Sequence, residues 1–331
     1  MTDPHFKIAV IIPAHRVSAF ILGVIADVGP EVERIYVVDD ACPEGSGDLV
    51  ESECRDPRVV LIRNPVNLGV GGAVLAGFDR AYRDGMSVGV KIDGDGQMRG
   101  ADIERFVRPI RDGQADYAKG NRFYDPTSLS QMPWPRIVGN AAMSFVAKIS
   151  TGYWDVFDPT NGFIALDLRL LPYLSADRIS RRYFFESDLL FRASLVRARV
   201  IDIPMRALYG DEVSGLSGHR EAPAFAWGHL RNFMKRIGYS YFLRGFNFAS
   251  IEIVLGLLGI LIGTVLSLQA LASPAADSPG TVVGAIAPLL TGLLLLLGAV
   301  HHDIQSVPRI AIGPLLPDPE SPEGDAEEAS A

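Results

Sequence analysis

An open α/β domain followed by two membrane-crossing helices is the fold class the sequence predicts, and three observations predict it. Short β-branched runs alternate with amphipathic segments through the first half of the chain. Polar or glycine-rich clusters follow these runs. Two late stretches, 248–271 and 282–300, contain Glu252 as their one charged residue, and each approaches the ~20 apolar residues that cross a bilayer as helix.

The elements follow in order. KIAVIIP reads as the first strand and VSAFILGVIADV as a helix; VERIYVVDD and VVLIRN are the second and third strands. GGAVLAGFDRAYRDG then has helical spacing, and SVGVKID is the fourth strand. Such alternation is the signature of a parallel sheet covered on both faces. Ligands of such sheets bind beyond the carboxyl ends of the strands. Pro13-Ala14-His15, Asp39-Asp40, Asn64 to Asn67 and Asp93-Gly94-Asp95 all fall at such ends.

From Gly120 to Gly215 the pattern is less regular, with tryptophan, proline and charge close together, as where loops build a second half-site. Between Ala224 and Phe242, Trp227, Leu230, Phe233, Met234, Ile237 and Tyr241 recur at helical spacing with cations between them. That pattern fits a helix lying on a membrane surface, and it also fits an ordinary globular helix. GLLLLLGAV lacks the polar stripe of a globular surface helix. No internal repeat is visible, and the tail PDPESPEGDAEEASA reads as disordered and solvating.

A chain of 331 residues with 48% hydrophobic content has room for one large or two ordinary domains. Its net charge of −8 argues against a general nucleic-acid binder. Cys42 and Cys54 lack metal-ligand spacing and are expected to be free thiols on the reducing side of the membrane. MTDPHFKIAVIIPAH has no basic leader region, so the chain before Phe246 is expected to stay where it is made. Arg231, Lys235, Arg236 and Arg244 crowd the approach to the first span, whereas the connecting loop SLQALASPAADSPG has no cation. The positive-inside rule then predicts a multi-pass protein of the cytoplasmic (inner) membrane with its large N-terminal part and its C-terminus in the cytoplasm.

Asp93 and Asp95 lie at i and i+2, one on a strand end and one in the turn. A hard divalent cation such as Mg2+ or Mn2+ takes one or two carboxylates plus nucleotide phosphates, and Gln97 adds a nearby carbonyl. With no histidine or cysteine beside them, zinc is disfavoured. A D-x-D turn alone is common on surfaces. GVGGAVLAG looks like a dinucleotide fingerprint, but it breaks at Val74 and follows the third strand rather than the first, against a nicotinamide enzyme.

In this order and spacing, IIPAH, VVDDACPEGS, NLGVGGAV, KIDGDGQ and KGNRF resemble the family 2 glycosyltransferases of GT-A (Rossmann-like) fold, over about the first 125 residues. DPTNGF, YFFESDLL and the paired apolar helices are similar, more loosely, to the polyprenyl-phosphate sugar transferases related to dolichyl-phosphate mannose synthase. The resemblance implies an open mixed sheet, a nucleotide-sugar donor, UDP- or GDP-linked, and inversion at the anomeric carbon. It implies nucleoside contacts from Pro13, His15, Val38 and Asp40, a metal motif of Asp93, Asp95 and Gln97, and Arg122 near the phosphates. Two positions depart from the pattern: Val17 stands where relatives carry a glutamate, and YGDEVSGLSGHR, with Tyr209 and Asp211, replaces an arginine before a G-x-S-K turn, with no lysine after Ser217.

The domain expectation is a catalytic domain over 1–218, an amphipathic juxtamembrane helix over 219–245, a two-helix membrane region over 246–302 and a tail over 303–331. Undecaprenyl phosphate is the expected acceptor by resemblance, since a lipid phosphate is already ionised. A hydroxyl acceptor on a lipid-linked glycan would need a base, for which Asp188, with Glu186 at i−2, is the candidate; acids in the first turn of a helix are favourable for local reasons too. A catalytically silent membrane-anchored scaffold that binds nucleotide-sugar is the reading from another class. Two spans are few for enclosing a lipid path, which leaves homo-oligomerisation open.

Overall fold

The computed structural model describes residues 6–124, 134–205, 218–272 and 278–317. The region of Tyr209, Asp211 and Ser217 and the acidic end of the tail lie outside them. Two compact units divide the chain, one of residues 1–232 and 308–331, the other of residues 233–307.

In the first unit the strands are β1 (Ile8–Ala14), β2 (Arg34–Asp39), β3 (Val59–Arg63), β4 (Val88–Lys91), β5 (Tyr117–Asn121), β6 (Ile164–Asp167) and β7 (Val200–Pro204), in spatial order β3-β2-β1-β4-β6-β5-β7. The helices are α1 (Ile21–Asp27), α2 (Ser46–Glu53), α3 (Val70–Arg83), α4 (Ile103–Arg111), α5 (Trp134–Thr151) and α6 (Phe185–Leu195), and α7 (Gly218–Ile237) begins in this unit and runs into the second from Phe233. The predicted strands at the start of the chain pair in parallel. The departure from an all-parallel sheet is β6, antiparallel to both β4 and β5. Its reversal matters for function, because the DPTNGF loop that leads into β6 arrives at the rim where β4 and β5 end.

One side of the sheet closes on a core in which Val10, Ile12, Val37, Val90 and Ala165 meet Ile21, Phe106 and Val107 of α1 and α4. Phe106 and Phe163 stack there with ring centroids 3.9 Å apart. On the other side α3 lies so close to β1 that a Cβ on Gly77 would sit 2.5 Å from Ile11 Cγ2. The glycines that imitate a dinucleotide fingerprint therefore serve helix-on-sheet contact. Both cysteines are free.

The first unit is completed by the far end of the chain. Asp116, fully buried before β5, accepts hydrogen bonds from Arg199 N at 2.7 Å, Ile312 N at 2.9 Å and Gly313 N at 2.6 Å. Burial raises the Asp116 pKa above its ordinary value, with the three N–H donors pulling the other way. Asp116→Ala would leave those donors without their acceptor, at about 1–3 kcal/mol for a buried group left unpaired. We expect it to destabilise the protein by about 3 kcal/mol, read as a lower midpoint in chemical denaturation of the detergent-solubilised chain.

The second unit contains α8 (Phe248–Leu271) and α9 (Pro279–Gln305), both long and apolar enough to cross a membrane. They pack antiparallel along a glycine seam: a Cβ on Gly259 would lie 2.9 Å from Gly292 Cα, and one on Gly263 2.5 Å from Leu289 Cγ. Small residues that let backbones approach are what holds helices together in lipid, where apolar side chains gain nothing by leaving it. At one end of the hairpin Arg236 grips Asp303 through contacts of 2.6 and 3.1 Å, and the Tyr241 hydroxyl donates to the same carboxylate at 2.6 Å. A buried pair of this kind is costly to break from one side.

Candidate active site

The carboxyl ends of β1, β2 and β4 open onto a cavity of about 480 Å3. Pro13, His15 and Val17 reach it from the end of β1, Asp40 from β2, and Asp93, Gly94 and Asp95 from the turn after β4. Asn67, Gly69, Val70 and Ala73 line it from the loop before α3 and its first turn, and Arg182 and Tyr183 from the loop before α6.

Asp40 organises this rim. Its carboxylate accepts from Asn64 Nδ2 at 2.8 Å and Leu68 N at 2.9 Å through one oxygen, and from Gly69 N at 2.8 Å through the other. Gly69 has φ +83°, a conformation a β-carbon would strain, and a Cβ there would stand 2.6 Å from Arg181 O. The NLGVGG loop is thus pinned to the end of β2. His15 Nδ1 lies 3.2 Å from Asp40 O, and Asn67 Nδ2 lies 3.3 Å from the same ring.

Behind Asp93 stands a residue the motif reading passed over. Lys91, almost wholly buried at the end of β4, brings its ammonium to 2.8 Å from Asp93 Oδ1 and 3.2 Å from Glu186 Oε1. Burial pulls the Lys91 pKa down, but the Asp93 and Glu186 carboxylates outweigh that and hold it above the usual lysine value. Gly162, from DPTNGF, roofs the group: a Cβ there would meet Lys91 Nζ and lie 2.5 Å from Asp93 Oδ2. Lys91 and Lys119 both stand in register with Ile164 of β6, and Lys119 with Asp202 of β7. A row of charges therefore runs across one buried face of the sheet. Burial pushes Lys119 down to about 8 against the pull of the Asp158, Asp202 and Glu186 carboxylates, and its ammonium donates to Asn161 O at 2.9 Å. Burial pushes Asp202 up to about 6.

The remaining motif residues divide. Asp95 Oδ1 accepts from Gln97 N at 3.0 Å, so Gln97 braces the second aspartate through its backbone. Val38 is fully buried within β2, opposite Pro13 and not among the side chains that line the cavity. Arg122 forks onto Asp158 with two contacts of 2.7 Å, which ties the KGNRF turn to DPTNGF. Burial raises the Asp158 pKa, but Arg122 beside it holds that carboxyl below its ordinary value.

The two acids of FFESDLL go separate ways. Glu186 faces Lys91, whereas Asp188, fully buried, accepts from Ser180 N at 2.8 Å and Asn232 Nδ2 at 2.9 Å and does not line the cavity. Near it, His229 Nδ1 lies 2.7 Å from Ser150 Oγ, and burial pushes its pKa down to about 4, with Asp188 opposing. A histidine depressed in the folded state is neutral there but protonated in the unfolded chain, so stability is full above about pH 6.5 and falls through about pH 4. We expect this group alone to remove up to about 3 kcal/mol across that window, a loss that His229→Gln should flatten in unfolding titrations at a series of pH values.

The donor set at the cavity fits a hard divalent cation. Asp93 and Asp95 offer carboxylates from one turn, and no group of three His, Cys, Asp or Glu side chains suited to a metal occurs among the described residues. A cation here would complete its shell with water and phosphate oxygens. Sequence reasoning placed Asn67 at the rim but missed Lys91, Arg182 and Tyr183. Lys91 did carry a signal, since a lysine inside an apolar strand demands buried partners.

A model described as Glycosyl transferase family 2 matches residues 9–172. The chain is 32% identical over 229 residues to polyprenol monophosphomannose synthase of Mycolicibacterium smegmatis, covering 66% of this chain and 85% of that protein. It is 30% identical to undecaprenyl-phosphate mannosyltransferase of Micrococcus luteus, over 62% of this chain and 86% of the relative. Among solved structures, glucosyl-3-phosphoglycerate synthase of Mycobacterium tuberculosis, in complex with Mn2+, UDP and glucosyl-3-phosphoglycerate, superposes with a TM-score of 0.53 at 17% identity, over 70% of this chain and 80% of that one. That likeness concerns the fold, which is the GT-A arrangement.

Proposed function

Because the chain belongs to glycosyl transferase family 2 and is a glycosyltransferase, we propose that it transfers a sugar, with inversion, from a UDP- or GDP-linked donor to a polyprenyl phosphate such as undecaprenyl phosphate at the cytoplasmic membrane. The observation that carries this reading is the convergence of Asp93 and Asp95 with His15 and the Asp40-pinned loop on one cavity. The nucleoside would lie along Pro13, His15 and the Asp40 loop, and the diphosphate toward Asp93 and Asp95. Mg2+ or Mn2+ held by those two carboxylates would supply positive charge to the departing diphosphate. Arg182, which also lines the cavity, carries a guanidinium that suits the same oxygens.

The acceptor reading is supported by the relatives, which are named for transfer to lipid phosphates, and by the state of the acids. Among the described residues, the carboxylates lining the cavity are Asp40, Asp93 and Asp95. Asp40 already accepts three internal hydrogen bonds, and the other two form the cation motif. An ionised phosphate needs no base to attack, whereas a hydroxyl does.

Membrane attachment is supported by exposure that runs against the usual pattern. In α7, His229 and Asn232 are buried while Trp227 and Leu230 face outward, the inverse of a helix resting on a soluble core. α5 likewise exposes Trp134, Val138 and Phe145. An apolar stripe turned outward beside cations suits the bilayer interface. Two spans in series would return the chain to the side from which it entered. The cations before α8 favour the cytoplasm for that side.

The test is transfer from radiolabelled UDP- and GDP-sugars, with Mn2+ and undecaprenyl phosphate, by membranes containing the protein. Label entering a mild-acid-labile lipid fraction is the expected result. Label confined to acid-stable lipid-linked glycan would replace this reading with the hydroxyl one.

A further inference from the structure

Asp93 is already paired before any cation arrives. Lys91 places its ammonium 2.8 Å from Oδ1, and Glu186 holds that ammonium from the other side at 3.2 Å. Gly162 leaves no slack, since a single added carbon would meet Lys91 Nζ. The lysine is nearly fully buried, and its carboxylate partners are shielded to different degrees: the Glu186 side chain is 10% exposed, that of Asp93 31%. Three fixed charges of alternating sign therefore stand in a row at this wall of the cavity, and of the three Asp93 is the most exposed.

We propose that Lys91 is a positioning residue that keeps the free enzyme's cation site deliberately weak, so that the divalent ion enters and leaves as its complex with the nucleoside diphosphate. This rests on the reading of Asp93 and Asp95 as the cation-binding pair. A unit positive charge a few ångströms from a divalent ion opposes its binding strongly even at an effective dielectric near 20. Diphosphate oxygens restore the balance by adding negative charge on the far side of the ion. Glu186 has the opposite sign of effect: by neutralising part of Lys91, it limits how far affinity falls.

The inference fixes the signs of two substitutions. Lys91→Met keeps the length of the side chain and removes the charge, so Mn2+ alone should bind the purified full chain about tenfold tighter than it binds wild type. Glu186→Gln removes the counter-charge and should weaken Mn2+ binding severalfold. Adding UDP or GDP should tighten Mn2+ binding to wild type by at least about tenfold, and to Lys91→Met by much less. Mn2+ binding is read by the loss of the free-ion electron paramagnetic resonance signal, with the thermal melt of each variant recorded beside it. A purely structural role for Lys91 predicts the contrary result, weaker binding in both variants, and that result overturns the proposal. Should Lys91→Met fail to fold, the charge-balanced Lys91→Met/Glu186→Gln variant serves in its place. It should bind Mn2+ tighter than Glu186→Gln, and equal or weaker binding overturns the proposal. If wild type takes up no Mn2+ even with both nucleotides tried, the cation reading of Asp93 and Asp95 fails, and this inference with it.

Discussion

Asp95→Asn is expected to lower sugar transfer by about a hundredfold to a thousandfold, the cost of removing a group that stabilises charge on a leaving atom, while the melting temperature stays within a degree or two of wild type. The two expectations belong together. Asp95 lies on the turn after β4, lines the cavity and is braced by Gln97 N, so its loss deprives the site of charge without opening the core. Asparagine retains an oxygen for that N–H. The measurement is initial-rate transfer from a radiolabelled donor across a range of Mn2+ concentrations, with the melt recorded on the same preparation. A variant that keeps wild-type rate at every Mn2+ concentration would remove Asp95 from the mechanism.

Asp188→Ala should do the reverse. Removing this carboxylate strands Ser180 N and Asn232 Nδ2, the two donors that it receives in the interior. Breaking a buried charged network from one side costs about 3–5 kcal/mol, enough to lower the unfolding midpoint by several degrees or prevent accumulation of the protein. Per folded molecule, transfer to a lipid phosphate should change less than about tenfold, well below the cost of losing a general base. An intact melt with activity lost a hundredfold or more would instead restore Asp188 as the base and, with it, the hydroxyl acceptor.

These two acids also mark where sequence reading succeeds and stops. The place of KIDGDGQ on the cavity rim was legible because clefts in open sheets form beyond the carboxyl ends of parallel strands, and β1 to β4 were legible because β-branched runs separated by amphipathic helices leave few other folds. In FFESDLL the acids look like neighbours, yet residues at i and i+2 of a helix face away from each other. Glu186 therefore reaches Lys91 while Asp188 turns toward Asn232. A mixed sheet was implied by the resemblance, but the residues alone did not single out β6 as its reversed strand, because IALD is buried at every position like its parallel neighbours. Arg122 was assigned by resemblance to the phosphates, and only three-dimensional placement could reveal its grip on Asp158, 36 residues on. The apolar stripe of α7 was visible as a period, but not that its polar side is the buried one.

The return of the chain to Asp116 sets an order on biosynthesis. Strands β5 and β7 leave the ribosome well before Ile312 and Gly313, and the two apolar helices are made in between. Domains tend to fold as they emerge, yet this one stays short of two of the donors to the buried Asp116 carboxylate until both helices have been synthesised. Closure of the first unit around Asp116 therefore waits for residues made after both apolar helices. A chain that ends before Ile312 would leave Asp116 with Arg199 N alone of its three donors, so the segment beyond α9 belongs to the folding of the first unit and not to the apolar hairpin it follows.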